Sequence, residues 1–428
     1  MSNFINSTLI PILGIIFVLL VIKRPFWGLV LLCGSLPVAS SLPDISGLTS
    51  IAVPIGGVTV AAYIINRIIN RKAIEINPTS MAIYVLAALL TGLMVVGQWV
   101  NPATLYIRDY GLTYIQLTLL VILCDQLLRS EQKIHTMMLV YIAAIQITAL
   151  VAVSQFLSYA GPKALFRPSG DTGNANSMGI YTSISIIMCV YFIQTTRNGF
   201  VRIFTIVGLL TSTSALILSG SRGAVLFLIP VILYQLVRGG KKSIQLLLLG
   251  LVTFVLISGF IPGNYWQRIA YIPNALSDQS DTVVLRYKLW SLALKAWQDS
   301  PIWGIGPGAV DIVLADSNEI NASGSYPAHN MYITSLAENG LIGLTVFATI
   351  LLLTTFILLR LDWVFHRKNR NFTLLIIAWQ ATLAVILLNG VKVEWGANKL
   401  LWMCVGVSLA LYGGTQFPKL TAKRTEVP

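Results

Sequence analysis

Charged side chains are scarce in this sequence. Only 11% of the 428 residues are Asp, Glu, Lys or Arg, whereas roughly 25% is usual in a soluble domain. Hydrophobic residues make up 56% of the chain, and apolar runs long enough to cross a ~30 Å hydrocarbon layer recur from near the N-terminus to residue 413. This composition excludes a soluble enzyme and predicts a polytopic membrane protein.

Cysteine and histidine are also rare. The four cysteines, Cys33, Cys124, Cys189 and Cys404, lie inside apolar runs, without CxxC spacing or a neighbouring histidine, which excludes a zinc site of the usual kind. No motif for a cofactor stands out, and we expect none. Residues 1–8 carry no positive charge and no small-residue cleavage site follows the first apolar run, so that run is predicted to be a retained span rather than a signal peptide.

The apolar runs predict an all-α bundle of about 12 to 13 transmembrane helices. The predicted spans are 8–22, 26–43, 49–66, 80–98, 112–128, 136–159, 178–195, 203–219, 223–237, 244–261, 331–359, 373–389 and 397–413.

The formal net charge of +13 is spread over short basic clusters between apolar runs. A nucleic-acid-binding surface would instead concentrate basic residues in one stripe with aromatic residues, so we expect no nucleic-acid partner. Alternate connections hold 19 of the 29 Lys and Arg residues, and the positive-inside rule makes that side cytoplasmic.

The long connection 262–330 then lies on the outer side, away from ATP and nucleotide sugars. We therefore divide the chain into an N-terminal membrane bundle (1–261), an outer loop with amphipathic helices (262–330), and C-terminal membrane helices with a cytoplasmic tail (331–428).

Arg222 follows Ser221 and precedes Gly223 in a short outer turn between two apolar runs. An arginine in the first turn of a helix lies at the positive end of the helix dipole, an unfavourable position by roughly 0.3–1 kcal/mol. A negative partner would offset this, and flanking glycines with free backbone N–H groups suit a phosphate. The alternative is an arginine that reaches up to lipid headgroups.

Residues 285–297 predict an amphipathic helix within the outer loop. At 100° per residue, Trp290 and Trp297 fall on the same face as Arg286, whereas Lys288 and Lys295 fall on the opposite, solvated face. A buried arginine needs a carboxylate, an aromatic ring or an anionic ligand as its partner.

His329 stands at the outer mouth of the eleventh predicted span, directly before Asn330. A histidine with an ordinary pKa near 6.5 can accept a proton from a sugar hydroxyl. Glu338 and Gly340 then interrupt the same span, where a carboxylate is costly, and we expect Glu338 to pair elsewhere in the bundle, for example with Lys392 or Lys399.

Two outer segments are rich in glycine. Residues 304–308 are similar to a dinucleotide loop but lack the preceding strand, so we interpret them as a turn that returns the chain to the bilayer. Residues 167–176, beginning with Arg167, either line the same cavity as the other arginines or form an ordinary loop.

Together these features resemble the O-antigen ligase-related superfamily, which contains O-antigen ligases (WaaL type), polysaccharide polymerases (Wzy type) and protein O-oligosaccharyltransferases. The most specific similarity is His329-Asn330, nine residues, Gly340, two residues and Gly343. Further similarities are the segments Ser221–Ala224, Arg286–Trp290 and Pro301–Gly308, so the resemblance covers Ser219 to Gly343.

The resemblance implies a GT-C-like glycosyltransferase at the outer, periplasmic face of the bacterial inner membrane, acting on a sugar chain linked to undecaprenyl pyrophosphate. The family's two arginines and one histidine map onto Arg222, Arg286 and His329. We expect the arginines, with Arg167 as an extra contact, to hold the pyrophosphate and His329 to act as a general base in an inverting transfer. Ser221, Gly223, Trp290, Asn330, Gly340 and Gly343 are expected to support them.

The outer loops contain no Asp-x-Asp motif, so we predict no metal. A ligase that moves the polysaccharide to lipid A–core oligosaccharide is favoured modestly by the His-Asn-x9-Gly spacing, and a Wzy-type polymerase with the same lipid-linked donor is the alternative. A polysaccharide-lipid transporter is the alternative from another class, but it would carry charges midway through several spans and repeated halves.

Overall fold

The structure, a computed structural model, describes residues 18–38, 52–71, 73–101, 109–159, 166–240, 255, 281–316 and 327–424. Within these ranges the regular elements are helical and no strand occurs, which confirms the predicted all-α class. The α-helices are α1 (Pro25–Ser35), α2 (Ala52–Ile69), α3 (Pro78–Val100), α4 (Tyr110–Leu127), α5 (Glu131–Ser158), α6 (Ala175–Thr195), α7 (Gly199–Leu218), α8 (Arg222–Gly239), α9 (Asp281–Gln298), α10 (Ala309–Asp316), α11 (Met331–Phe365), α12 (Arg370–Asn389) and α13 (Lys399–Arg424).

Nine of the described helices are long and apolar enough to cross a membrane: α2 to α8, α11 and α12. Two shorter apolar helices, Pro25–Val38 and Lys399–Thr415, match two more predicted spans. The remaining predicted spans, 8–22 and 244–261, lie wholly or largely outside the described residues. The chain is a multi-pass membrane protein. The predicted division at residue 261 stays a prediction, since that boundary also lies outside the described residues.

Many helices begin at an asparagine or aspartate that caps the first turn. The side chain accepts hydrogen bonds from the backbone N–H groups that the helix leaves unpaired. This is seen at Asn77, Asp109, Asn174, Asn198, Asn330 and Asn369. Short polar residues at the edges of apolar runs therefore fix where these six helices start.

Lys and Arg residues are more numerous at one end of the bundle, which we call the basic end. Arg129 pairs with Glu75 at 2.7 Å, and Arg238 at the end of α8 pairs with Asp362 at 2.6 Å. The start of α8 and the start of α11 therefore lie at the other end, which we call the site end. There the Met331 N–H donates to the Gly390 carbonyl at 2.9 Å.

Helix α11 is broken at Gly340, where φ is +63° and ψ is −167°. The glycine-rich turn after α9 inserts into this break. The N–H groups of Ile305 and Gly306 donate to the carbonyls of Ala337 and Glu338 at 2.9 and 3.0 Å, and the N–H of Leu341 donates to Pro301. Buried backbone groups freed by the break are thus paired, as burial in a membrane protein requires.

Candidate functional site

Arg222 occupies the first position of α8, with Ser221 as the N-cap residue. The helix begins where the sequence predicts it. The Ser221 side chain does not cap the helix. Its hydroxyl instead accepts a hydrogen bond from Nζ of Lys392 at 3.0 Å and donates to Oδ1 of Asn176 at 3.4 Å. Ser221 therefore joins three separate segments of the chain at the site end.

Lys392 lies between α12 and α13 and is 9% exposed. The predicted pairing of Glu338 with Lys392 or Lys399 is wrong, because Glu338 forms no ion pair with any described residue. Burial, followed by repulsion from Arg286 and Arg167, lowers the pKa of Lys392 to about 7. The amine therefore loses its proton near neutral pH unless an anion approaches.

Gly223 makes room for this lysine. A Cβ atom at Gly223 would lie 2.5 Å from Cδ and 2.8 Å from Nζ of Lys392. The sequence suggested that Gly223 lets a ligand approach the backbone, whereas the structure fills that space with the lysine side chain. The glycine and the lysine form one compact unit at the start of α8.

Arg286 lies on α9, and the two faces of this helix are as predicted. Lys288 and Lys295 are exposed, Arg286 is half-buried, and Ala293 is fully buried. Burial and the nearby positive charge of Arg222 lower the pKa of Arg286. The guanidinium groups of Arg222 and Arg286 are therefore close enough to repel each other.

His329 precedes α11 and is half-buried. Burial and the charge of Arg286 lower its pKa below the ordinary 6.5, so the imidazole is neutral at neutral pH and able to accept a proton. Its backbone φ is +53°, a left-handed conformation that a side chain other than glycine adopts only when its surroundings hold it there.

Two neighbours hold His329 in that conformation. The Trp290 indole N–H donates to the carbonyl of Ala328 at 2.9 Å, and Oδ1 of Asn330 accepts from the N–H groups of Tyr332 and Ile333 at 3.0 and 3.2 Å. Trp290 follows Arg286 by one helical turn. Helix α9 therefore positions both Arg286 and the loop that carries His329.

Arg167 joins the same cluster from the loop before α6. Its Nε donates to the Ser219 carbonyl at 2.9 Å and one of its amino groups donates to Oδ1 of Asn176 at 2.9 Å. The loop of residues 166–174 therefore packs against the start of α8 and contributes to the site.

These residues form a positive cluster, which we call the cationic cluster: Arg167, Arg222, Arg286 and Lys392, with His329 beside them. Among the described residues, neither Arg222, Arg286 nor Lys392 forms an ion pair with a carboxylate. Like charges gathered in a partly buried place repel one another. An anionic ligand with several oxygens, such as a diphosphate, would relieve that repulsion.

The two glycines predicted in α11 have structural roles. Gly340 forms the break in the helix, where an added Cβ would lie 2.6 Å from the amide nitrogen of Gly304. Gly343 packs against the Asn339 side chain. The backbone of residues 301–306 therefore pairs with the backbone of residues 337–341, and we call this contact the backbone joint. It fixes the position of the outer end of α11.

No group of three or more His, Cys, Asp or Glu side chains within the described ranges is arranged to hold a metal ion. The metal-free site stays a prediction. Activity of the purified protein in EDTA, with and without added divalent ion, tests the prediction that no metal is needed.

Sequence reasoning missed Lys392 as a member of the cluster. One signal could have found it: Lys392 lies in the short segment 390–398 between two apolar runs, on the side that is poor in Lys and Arg. A lone cation in such a connection is unusual, but only the fold reveals that Lys392 meets Ser221 and Gly223.

Residues 207–348 match the model of a protein family described as O-antigen ligase. The matched region is about a third of the chain and contains Arg222, Arg286 and His329, whereas Arg167 and Lys392 lie outside it. No curated protein matches the chain.

Proposed function

From membership of the O-antigen ligase superfamily, which residues 207–348 support, we propose that this protein is a membrane glycosyltransferase that moves a polysaccharide from undecaprenyl pyrophosphate to an acceptor at the periplasmic face of the bacterial inner membrane. The observation that carries the proposal is the cationic cluster beside His329, at the end of the bundle opposite to the basic end. Because positive residues favour the cytoplasm, the cluster faces outwards.

The cationic cluster binds the diphosphate of the donor. Guanidinium groups contact phosphate oxygens in a fixed planar geometry, and Arg222 also stands beside the N–H groups at the start of α8. Negative charge grows on the leaving diphosphate as the anomeric C–O bond breaks, so positive groups fixed in place stabilise the transition state more than the ground state.

His329 is the general base. The acceptor hydroxyl attacks the anomeric carbon from the face opposite the diphosphate, its proton passes to the neutral imidazole, and undecaprenyl diphosphate leaves, with inversion at that carbon. The lowered pKa of His329 keeps the imidazole unprotonated before attack. Lys392 and Arg167 are additional contacts to the diphosphate.

The acceptor separates the two candidate enzymes. A WaaL-type ligase uses lipid A–core oligosaccharide, and a Wzy-type polymerase uses a second lipid-linked chain. We favour the ligase, on the His-Asn-x9-Gly-x2-Gly pattern from His329 to Gly343. Electrophoresis of lipopolysaccharide from a deletion strain separates them: loss of the whole ladder with accumulation of lipid-linked polymer indicates the ligase, and caps of a single repeat indicate the polymerase.

Point variants test the site itself. Arg222→Ala, Arg286→Ala and His329→Ala should abolish transfer while the protein keeps its normal abundance in the membrane. Lys288→Ala, on the exposed face of the same helix as Arg286, is the matched control and should remain active. Full transfer by Arg286→Ala, or an unchanged lipopolysaccharide profile in the deletion strain, would reject the proposal.

A further inference from the structure

A cavity of about 430 Å³ opens at the site end. Its walls carry three carboxyl groups, from Asp311 on α10, Glu338 on α11 and Glu394 in the segment between α12 and α13. We call it the acidic cavity. Its volume is within the range of ligand pockets, roughly 300–1,000 Å³.

Two buried polar atoms in the cavity wall have no partner among the described residues. Oε1 of Glu338, in a residue 4% exposed, and Oγ1 of Thr334, in a residue 6% exposed, form no hydrogen bond. The Glu338 carboxyl also accepts hydrogen bonds from the backbone of Gly308 and Val310, which fixes its position. A buried polar atom without a partner is costly, and both atoms lie one helical turn apart on the same face of α11.

Aromatic side chains complete the cavity. Tyr110, Tyr114 and Trp395 line it, and Trp395 is held by a tilted contact with Tyr181, with 5.4 Å between the ring centroids. Carboxylates accept hydrogen bonds from hydroxyl groups, while aromatic rings offer an apolar surface. This combination suits a sugar ring, which presents hydroxyl donors at its edge and C–H groups on its faces.

The acidic cavity adjoins the cationic cluster. Pro327 and Met331, two residues before and after His329, line the cavity. In the segment 390–398, Lys392 donates to Ser221 of the cationic cluster, whereas Glu394 faces the acidic cavity. The cationic side chains therefore lie on one side of residues 327–331 and the acidic side chains lie on the other.

We propose that the acidic cavity binds the acceptor sugar whose hydroxyl attacks the donor, and that it selects a neutral or amino sugar over an acidic one. This inference rests on the proposed transferase function. The diphosphate is drawn to the cationic cluster and repelled by Asp311 and Glu394, so charge keeps the donor and the acceptor apart on either side of His329.

Saturation-transfer NMR on the full-length protein in nanodiscs tests the proposal with three probes: methyl β-D-glucopyranoside, its 2-amino-2-deoxy analogue, and methyl β-D-glucuronide. The first two should bind and the glucuronide should not. Glu338→Gln, which keeps the size of the side chain, should weaken binding of the two ligands by about tenfold or more. Thr334→Val should weaken binding of the same two ligands by about twofold to fivefold. If Glu338→Gln does not fold, this second variant tests the proposed site.

Glu75→Gln at the basic end, where Glu75 is exposed, is the matched control and should bind as the wild type. Equal binding of the glucuronide by the wild-type protein, unchanged binding in both cavity variants, or binding only with added Mg²⁺ would overturn the inference. Titration with inorganic pyrophosphate separates the two proposals. If pyrophosphate binds but no sugar does, only the acceptor site is rejected, whereas failure of pyrophosphate to bind rejects the proposed donor site.

Discussion

Gly304 and Gly340 interlock where the glycine-rich turn enters the break in α11. Both have positive φ, +80° and +63°, and a Cβ atom on Gly340 would lie 2.6 Å from the Gly304 amide nitrogen. The backbone, not a flexible side chain, fills the space beside each glycine. The outer end of α11, with His329 and Glu338, is therefore positioned by a joint that admits no side chain.

Gly340→Ala should destabilise the protein and abolish transfer. The added methyl group meets backbone atoms in a conformation that costs about 1–3 kcal/mol for a residue other than glycine. Thermal unfolding in detergent measures the loss. Gly92→Ala is the control, since nothing lies within 4 Å of a Cβ at Gly92 and alanine in a helix is favoured by about 0.5–1 kcal/mol. Equal unfolding temperatures for the two variants would contradict the role of the joint.

Asn330→Ala should reduce transfer more than its effect on stability explains. The lost cap costs about 1 kcal/mol, and the segment that holds His329 at φ +53° is loosened at the same time. Asn369→Ala removes the matched cap of α12, where the side chain accepts from the Phe372 N–H at 3.1 Å, at the basic end. Both variants should unfold at similar temperatures, but only Asn330→Ala should lose activity. Equal activity in the two would mean that the cap does not orient His329.

Trp290→Phe should lower the rate of transfer while the protein remains folded. The phenyl ring keeps the apolar contacts of α9 but removes the indole hydrogen bond to the Ala328 carbonyl. A loss of about 0.5–1.5 kcal/mol corresponds to a fall in rate of roughly twofold to tenfold if the bond positions His329.

Ser291→Ala is the control, because the Ser291 hydroxyl donates to the Lys288 carbonyl at 2.8 Å on the exposed face of the same helix. Single-turnover rates of the two variants with the same lipid-linked donor measure the difference. An unchanged rate in Trp290→Phe, or an equal loss in both variants, would contradict the role of the bond to Ala328.

The sequence predicted the helical class, the start of α8 at Arg222 and the two faces of α9, because these features depend on local hydrophobic patterning and on helix geometry. It also predicted that Gly340 interrupts α11. It did not predict that residues 301–306 pair with the backbone across that break, since contacts between distant segments leave no periodic signal. For the same reason Glu338 was expected near a lysine and instead lies beside Asp311 and Glu394.

The pH dependence of pyrophosphate binding should show whether the Lys392 amine contributes a positive charge to the site. Its pKa of about 7 lies well below the ordinary 10.5, so the amine of the ligand-free protein becomes neutral as the pH rises from 6 to 9. The affinity of the wild type should therefore exceed that of Lys392→Gln by about tenfold at pH 6 and by little at pH 9. His329, whose pKa is below 6.5, is already neutral throughout most of this range. Because the two proteins are compared at the same pH, the ionisation of pyrophosphate itself cancels from this ratio, and a ratio that does not change with pH would reject the role of Lys392.

Folding stability should change in the opposite direction to binding. Between pH 7 and 10.5 the unfolded chain keeps the Lys392 proton that the folded protein has lost, so the free energy of unfolding rises with pH. Without ligand, the wild type should therefore gain stability relative to Lys392→Gln as the pH is raised from 7 to 9, and added pyrophosphate should reduce that gain because it favours the protonated amine. Thermal unfolding at pH 6.5, 8 and 9 measures both effects. A constant difference between wild type and variant would mean that Lys392 keeps an ordinary pKa and that its burial among Arg167, Arg286 and Ser221 does not perturb its charge.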